Sequence, residues 1–382
     1  MIINGNNIEE LKKFGDNYFD SIVTDPPYEL GFMGKSWDST GVANDVDLWK
    51  EVLRVLKPGG YLLSFSATRT YHRMAVAIED SGFEIRDMIE WVYGSGFPKS
   101  LNIGKAVDKR GGTTREVVGL NPNARDGGGN VQIVQKRKDD ILTKGTSEWE
   151  GWGTALKPAH EPICMARKPL AEKTVAENVL KYGTGGINID ESRVGTEGGT
   201  KHEEGEKEYE NEIYGKGLYK EFGKVIPNLG RFPANLIHDN SEEIRECFPE
   251  TGKSTGGRIG NKGSALNMMG QDFEAGDPGY GDSGSASRFF KSIIYQAKAS
   301  KSERGTENSH PTVKPVALME YLIKMVTPTN GIVLDPFMGS GTTGVACVLN
   351  DFEFVGIDLD KDYCEIARAR IEGVKETQTK LF

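Results

Sequence analysis

The chain has 382 residues, a formal net charge of −9, 37% hydrophobic and 27% charged residues, and 48 glycines. That length exceeds the roughly 100 to 200 residues of one ordinary core, so it allows one large globular domain with an insertion, or two domains, with many loops around an α/β body. No apolar run approaches the about 18 residues of a membrane span, and no secretory pattern opens the chain. The four cysteines, Cys164, Cys247, Cys347 and Cys364, have neither CxxC spacing nor a disulfide framework, so a soluble cytoplasmic protein without structural zinc is expected.

In chain order, Met1 to Asn4 is a short strand candidate, and Asp20 to Tyr28 reads as a strand running into a loop. From Asp47 to Leu56 the apolar positions Leu48, Val52, Leu53 and Leu56 recur at helical spacing, and Lys57 to Gly60 stops that helix. Tyr61 to Phe65 is a buried strand, Thr70 to Gly82 a helix ended by glycine, and Phe83 to Tyr93 another strand. This βαβ rhythm predicts a mainly parallel sheet.

The rhythm breaks at Gly94. Two polar, glycine-rich tracts, Leu101 to Gly153 and Ala171 to Ala286, then flank one strand candidate, Glu161 to Lys168, expected to pair with Phe83 to Tyr93 as an antiparallel hairpin. Runs such as Gly127 to Gly129 and Ser254 to Ser264 read as linker, whereas the apolar stretch Arg231 to Asp239 argues for order, so partly ordered loops are expected. The C-terminal part returns to α/β, with a helix Val316 to Val326, a strand Gly331 to Asp335, a glycine loop, a helix through Cys347 and Leu349, a strand Phe352 to Asp358 and a helix Tyr363 to Ile371.

Charge is uneven along the chain. Phe97 to Lys144 holds ten Lys or Arg against five Asp or Glu, a net of +5, and Glu191 to Phe222 holds five against nine, a net of −4. The first segment suits a phosphate-facing surface, and both equally suit solvated loops.

Two strings at opposite ends carry the chemistry: TDPPY, Thr24 to Tyr28, and LDPFMGSGTT, Leu334 to Thr343. Alone, the first is also a plausible turn after a strand, and glycine clusters often mark plain turns. The second string is not a P-loop, because Thr342 stands where lysine would follow Gly341. It also lacks GxGxxG spacing and places Asp335 and Phe337 before its glycines, which disfavours a nicotinamide dinucleotide. A strand ending in an acid, a glycine loop opening a helix and a second strand ending in Asp358 suit an adenosine-bearing ligand.

Together, and in this order, the strings resemble the β group of DNA amino-methyltransferases, in which the catalytic half precedes the cofactor half. LKPGG (56–60), WVYGSGFPKS (91–100), ALKPAHEPICMARKP (155–169), SRFFKSIIYQAKASKSER (287–304) and HPTVKP (310–315) extend the resemblance over nearly the whole chain, several of them in the manner of phage or mobile-element members. The resemblance implies a Rossmann-like α/β sheet dependent on S-adenosylmethionine, with an inserted target-recognition region and no metal. The expected parts are a catalytic half 1–100, an insertion loop 101–153, a returning strand 154–170, a target-recognition region 171–286 and a cofactor-binding half 287–382.

The same resemblance implies the site. Phe337 and the backbone of Gly339, Ser340 and Gly341, with Asp335 and Thr342 beside them, line the methionine and ribose part of S-adenosylmethionine. Asp358 accepts hydrogen bonds from the ribose hydroxyls, the plainer alternative being a cap on the helix near Asp360. Thr312 and Lys314 touch the methionine moiety, unless HPTVKP is only a helix opening at Pro315. Asn6 stands where members often have Asp after Gly5, and its amide oxygen would accept from the adenine amino group. Arg288, Lys291, Lys298, Lys301 and Arg304 are candidates for gripping DNA phosphates, or else solvated surface.

TDPPY meets a chemical need. An exocyclic amino nitrogen is a poor nucleophile because its lone pair is delocalised into the ring, and hydrogen bonds to the Asp25 carboxylate and the Pro26 carbonyl would localise that pair and aim it at the sulfonium methyl, so Asp25 also borders the cofactor. Pro26 and Pro27 remove two donors and stiffen the loop. Tyr28 would stack on a base rotated out of the duplex. Asp25 as the first motif residue favours adenine N6; N4-methylcytosine is the alternative, since Ser is usual there for that product. Cytosine C5 chemistry needs a nucleophilic cysteine, and Cys164 sits in an apolar strand instead. RNA or protein methylation and a noncatalytic cofactor-holding DNA-binding protein remain as further alternatives. Double-stranded DNA is the expected partner, with a homodimer and a separate restriction endonuclease as expectations carried from the family.

Overall fold

The computed structural model of the chain describes residues 1–31, 36–94, 96, 100–120, 141–195, 230–252, 283–293 and 313–379. In chain order, β1 (Ile2–Asn4) and α1 (Asn7–Leu11) lead to β2 (Phe19–Thr24), α2 (Val46–Val55), β3 (Leu56–Phe65), α3 (Tyr71–Asp80) and β4 (Glu84–Val92). Then α4 (Ile103–Gly111), β5 (Glu116–Leu120) and β6 (Ile141–Lys144) precede β7 (His160–Arg167), α5 (Val175–Tyr182) and α6 (Ile189–Ser192). After β8 (Leu236–His238) come α7 (Glu242–Arg245), β9 (Glu250–Thr251), β10 (Gly284–Ser285) and β11 (Lys291–Ser292). The C-terminal part is α8 (Val316–Val326), β12 (Ile332–Asp335), α9 (Thr342–Leu349), β13 (Glu353–Asp358) and α10 (Lys361–Thr379).

Nine strands make one sheet, in the order β1-β13-β12-β2-β3-β7-β4-β8-β11. Neighbours run parallel throughout except at β7, which is antiparallel to both β3 and β4. The hairpin partner of β4 is β7, in register from Glu84 opposite Arg167 to Val92 opposite His160. Successive residues of β2 and β3 point to opposite faces, so Val23 and Leu63 pack with Leu318, Leu322, Val345 and Ala367 from α8, α9 and α10. Ile22 and Leu62 pack on the other side with Leu48, Trp49, Val52, Met74 and Ile78 from α2 and α3. With both faces covered, β2 is buried at every residue, as expected for a central parallel strand.

The helix read from Asp47 to Leu56 runs from Val46 to Val55, and its stop signal Lys57 to Gly60 is part of β3. Glycine explains the difference: a Cβ on Gly60 would come within 2.9 Å of the Asp20 carbonyl, so only glycine lets β3 run this close to β2.

By its contacts the chain divides into two units, Met1–Gly94 with His160–Phe382, and Ser95–Ala159. In the smaller unit, Asn102 caps α4 at its start, Gly112 (φ 67°) ends it, and β5 and β6 form an antiparallel hairpin. Arg115 ties these pieces together by donating to Asp108, to Glu150 at 2.8 Å and to the Thr143 carbonyl at 2.9 Å.

The expected recognition region 171–286 lies in large part outside the described residues, at 196–229 and 253–282. Its described parts belong to the larger unit, where β8 joins the main sheet by pairing Leu236 to His238 with Glu90 to Val92. This part of the glycine-rich tract is therefore sheet. Asn178 on α5 is fully buried and anchors the tract under β3: its amide donates to the carbonyls of Pro58 and Thr184, both at 2.8 Å, and accepts from Ala171 at 3.1 Å. Replacing it takes the amide donor from the buried Thr184 carbonyl, at about 1 to 3 kcal/mol, and opens a gap in the packing, while the Pro58 carbonyl keeps the Thr184 hydroxyl at 2.7 Å. Asn178→Ala is expected to lower stability by about 2 to 4 kcal/mol, read as a lower urea midpoint with an unchanged slope.

Candidate active site

Parallel strands deliver their C-terminal ends to one edge of the sheet, the edge where open α/β sheets bind ligands. There β2 ends in Thr24, β12 in Asp335 and β13 in Asp358, with Asn4 of β1 in register beside Asp358. Because β7 runs the other way, its first residues, His160 and Glu161, reach the same edge next to Trp91 and Val92.

Asp335 joins the two halves of this edge. It is 2% exposed; its Oδ1 accepts from Thr24 Oγ1 at 2.6 Å and from the Phe337 amide at 3.1 Å, and its Oδ2 accepts from Thr343 Oγ1 at 2.5 Å. Burial pushes its carboxyl up to about 6, against the lowering effect of these three donors. Expected as a cofactor-lining residue, it has both oxygens engaged by the chain itself, and what it does here is hold the end of β2 against the start of α9.

The loop between β12 and α9 is shaped by backbone. Gly339 (φ 50°) and Gly341 (φ 80°) adopt the left-handed region, and a Cβ on Gly341 would lie 2.7 Å from that of Ala367. The Gly339 amide donates to Asp358 Oδ2 at 2.9 Å, and the Asp360 amide to Asp358 Oδ1 at 2.8 Å. Burial raises the Asp358 carboxyl from its ordinary value, and the two amides oppose that shift. The start of α10 is capped by Asp360, which accepts from the amides of Asp362 and Tyr363, so Asp358 is free of the capping role.

Ser340 and Thr342 are buried, and their hydroxyls meet Arg370 of α10 at 3.1 and 3.2 Å, away from the loop's outer side. Phe337 packs half-buried on the cluster under α2 and α3. Asn6 caps α1, its Oδ1 accepting from the Glu9 amide at 3.3 Å, while the buried Asn7 donates to the Pro336 carbonyl at 3.4 Å. Thr312 lies outside the described residues. Arg370 and Asn7 escaped the sequence reading because each is an ordinary helix residue whose partner is remote in the chain.

Beyond Thr24 the catalytic string forms a buried polar cluster. Asp25 Oδ2 pairs with Lys314 Nζ at 2.6 Å, and the same ammonium reaches Tyr28 Oη at 3.0 Å and Glu161 Oε2 at 3.3 Å. Tyr28 Oη donates to Glu161 Oε2 at 2.8 Å, and Tyr93 Oη to Glu161 Oε1 at 3.4 Å. Lys314 Nζ also lies 4.9 Å from the Phe65 ring centroid and 5.2 Å from that of Tyr28. Asp25 Oδ1 is buried and has no hydrogen-bond partner among the described residues. Pro26 is buried and Pro27 half-buried. Thr70 Oγ1 holds the Tyr28 carbonyl at 2.7 Å, and Glu29 then turns the chain in the left-handed region at φ 56°.

Burial opposes the charge on Lys314, but the adjacent carboxylates of Asp25 and Glu161 prevail and raise its pKa, so it stays an ammonium. Burial, with the charges of Asp25 and Glu161 behind it, holds the Tyr28 phenol well above its ordinary value and therefore neutral. Lys314, expected near the methionine moiety, thus meets Asp25. Of the five basic residues expected to grip phosphate, the two described are engaged internally: Arg288 donates to the Gly284 and Ser285 carbonyls, and Lys291 lies 4.8 Å from the Tyr321 ring centroid.

The donor set fits an adenosylated sulfonium: a carboxylate with accessible lone pairs at the end of β13, a backbone-lined glycine turn at the end of β12, and an aromatic ring beside it. Such a fold and site define an α/β methyltransferase. The chain belongs to the DNA methylase family that covers N6- and N4-directed enzymes, whose model matches residues 19–369. It is 23% identical to the type II methyltransferase M.HindIII of Haemophilus influenzae over 97% of this chain and 94% of that one. With M2.DpnII of Streptococcus pneumoniae it shares 40% identity over 22% of this chain and 31% of that one.

Among solved structures, the M1.HpyAVI complex with its cofactor covers 97% of this chain and 98% of its own at 18% identity and a TM-score of 0.42. The cytosine-N4-specific PvuII DNA methyltransferase covers 98% of this chain and 89% of its own at 13% identity and 0.48. The protein is an N6/N4-type DNA methyltransferase of the restriction-modification kind, and its cofactor is S-adenosyl-L-methionine. No described helix is long and apolar enough to cross a membrane.

The raised carboxyl of Asp335 has a measurable consequence. A folded pKa of about 6 against an ordinary 3.8 gives a contribution to stability that is present below pH about 4 and lost as pH rises through about 6. The stability of the native chain relative to Asp335→Asn is expected to fall by on the order of 2 kcal/mol between pH 4 and pH 7, as urea midpoints of both proteins would record.

Proposed function

We propose that the protein methylates adenine N6 at a specific site in double-stranded DNA, with the target base rotated out of the helix. The observation that carries this reading is the pair of Asp25 oxygens: Oδ2 is fixed by Lys314, and Oδ1 is a buried acceptor without a partner among the described residues. A buried acceptor of this kind is costly unless something donates to it, and a base amino group is such a donor. S-adenosylmethionine supplies the electrophilic methyl group when bound. Asp358 and the turn Gly339 to Gly341 are placed to hold its ribose and methionine portions, with Phe337 beside them and Asn6 and Asn7 near the strand end where adenine would lie.

Asp25 Oδ1 and the Pro26 carbonyl would accept hydrogen bonds from the two amino N–H groups and so aim the nitrogen lone pair at the methyl that the bound cofactor supplies. The alkylated nitrogen would lose one proton, which the Asp25 carboxylate would take, while the electron pair of the broken S–C bond would stay with the departing cofactor. Tyr28 would stack its ring on the base, its hydroxyl locked by Glu161 and Lys314.

For the DNA backbone, the unit Ser95–Ala159 is the candidate. It holds eleven Lys or Arg against seven Asp or Glu, a net of +4, leaving −13 for the rest of a chain whose total is −9. Arg115 internally engages Asp108 and Glu150, while Lys105, Lys109 and Arg110 of α4 are exposed. Changing all three to Gln is expected to weaken DNA binding at low salt and to flatten the dependence of log affinity on log salt by up to about 3. Cofactor affinity is expected to stay unchanged.

The test of the function is transfer from labelled cofactor to mixed-sequence DNA, followed by nucleoside mass spectrometry. N6-methyladenine should form, and Asp25→Ala should reduce it by at least about a thousandfold while keeping cofactor binding. N4-methylcytosine as the product would overturn the choice of base, and no methylated nucleoside would overturn DNA as the substrate.

A further inference from the structure

We infer that Lys314 and Glu161 are positioning residues for methyl transfer: together they hold the Asp25 carboxylate through Oδ2 and leave Oδ1, a buried acceptor without a partner among the described residues, reserved for the target amino group. This rests on the methyltransferase reading above and holds whichever base is methylated. Four remote segments build the lock, namely the loop after β2, the end of β4, the start of β7 and the residue before Pro315.

The hydrogen-bond count gives the direction. An ammonium has three donors, and those of Lys314 are matched by Asp25 Oδ2 at 2.6 Å, Tyr28 Oη at 3.0 Å and Glu161 Oε2 at 3.3 Å. Lys314 is thus engaged on three sides by the chain itself, whereas its position in HPTVKP suggested a contact with the methionine moiety. Glu161 receives Lys314 and Tyr28 on one oxygen and Tyr93 on the other, so its orientation is over-determined. The carboxylate of Asp25 cannot rotate without breaking its bond to an ammonium that is held on two other sides.

Charge gives the reason for Glu161. A lone lysine beside Asp25 would cancel its charge and present a cation to a methyl donor that is itself cationic. With Glu161 included, Asp25, Glu161 and Lys314 sum to one negative charge, which remains available to the nitrogen as it becomes positive. Tyr28 and Tyr93 add donors without adding charge, and the next carboxylate, Asp335, is turned to its own hydroxyl partners.

The test uses the full chain and its variants Lys314→Met, Lys314→Arg, Glu161→Gln and the double change Lys314→Met with Glu161→Gln. Three quantities are measured: the single-turnover transfer rate at saturating cofactor, the calorimetric affinity for S-adenosylhomocysteine, and the fluorescence of 2-aminopurine at the target position. Lys314→Met should slow transfer on the order of a hundredfold near neutral pH, because Asp25 loses the ammonium that fixes its Oδ2. Affinity for S-adenosylhomocysteine should change less than twofold, and base extrusion should persist. Lys314→Arg should restore most of the rate, and Glu161→Gln should slow transfer without shifting cofactor affinity.

The double variant leaves Asp25 as the single unpaired charge of the cluster where Lys314→Met leaves two; it should fold if Lys314→Met does not, and it should bind cofactor normally but transfer slowly. A tenfold loss of S-adenosylhomocysteine affinity in either variant lacking Lys314, with the rate at saturation retained, would make Lys314 a cofactor ligand and overturn the inference. So would an unaltered transfer rate in those variants. Absence of any DNA methylation by the unaltered chain is a different result, since it removes the underlying reading before any variant is compared.

Discussion

The buried carboxylate of Asp335 is the constraint on which the site depends. Thr24 directly precedes Asp25 and Thr343 lies in the first turn of the helix after the glycine turn, and both hydroxyls converge on this one side chain. The two functional strings lie more than 300 residues apart in the chain, so their spacing is set by β2 and β12 as neighbours in the sheet and by this shared acceptor. Methyl transfer tolerates little error in the distance between nucleophile and donor, and a tether of hydroxyls on a carboxylate inside the sheet edge is stiffer than any loop contact. Asp358 repeats the device one strand further out, holding the turn through the Gly339 amide.

The reversed strand β7 is the second determinant. In a wholly parallel sheet only strand ends reach the ligand edge, so residues early in a strand are lost to the opposite side. Running antiparallel between β3 and β4, β7 brings its second residue, Glu161, to the catalytic edge. The same inversion places Tyr93, just past the end of β4, within reach of it. The polar cluster beneath the catalytic loop therefore follows from topology.

Seven of the sheet strands were legible in the sequence, because each is a dense apolar run with a clear boundary, and so were the main helices α2, α3, α8, α9 and α10. What escaped was local order inside tracts dominated by glycine and charge. The signals were there: Thr174 and Glu177 form a reciprocal capping box at α5, and Asn102 with Gly112 brackets α4. Composition masked them. At the site, the strings identified the backbone elements, while the internal partners of the polar side chains around the glycine turn were not legible. Ser340 and Thr342 bind Arg370, Asp335 binds two threonines, and Lys314 binds Asp25. Spacing in a sequence cannot show which of two neighbours a side chain turns towards when one of them is hundreds of residues away.

Asp25 and Asp335 also show how two carboxylates in one buried region are given different duties. The carboxyl of Asp335 is raised mainly by burial and in smaller part by the nearby Asp25. Asp335 receives neutral donors, two hydroxyls and an amide, which suit a carboxyl group whose task is geometric. Asp25 receives an ammonium instead, a charged partner that Tyr28 and Glu161 hold on two further sides. The placement of one cation therefore separates the carboxylate that ties two strands together from the one inside the TDPPY string.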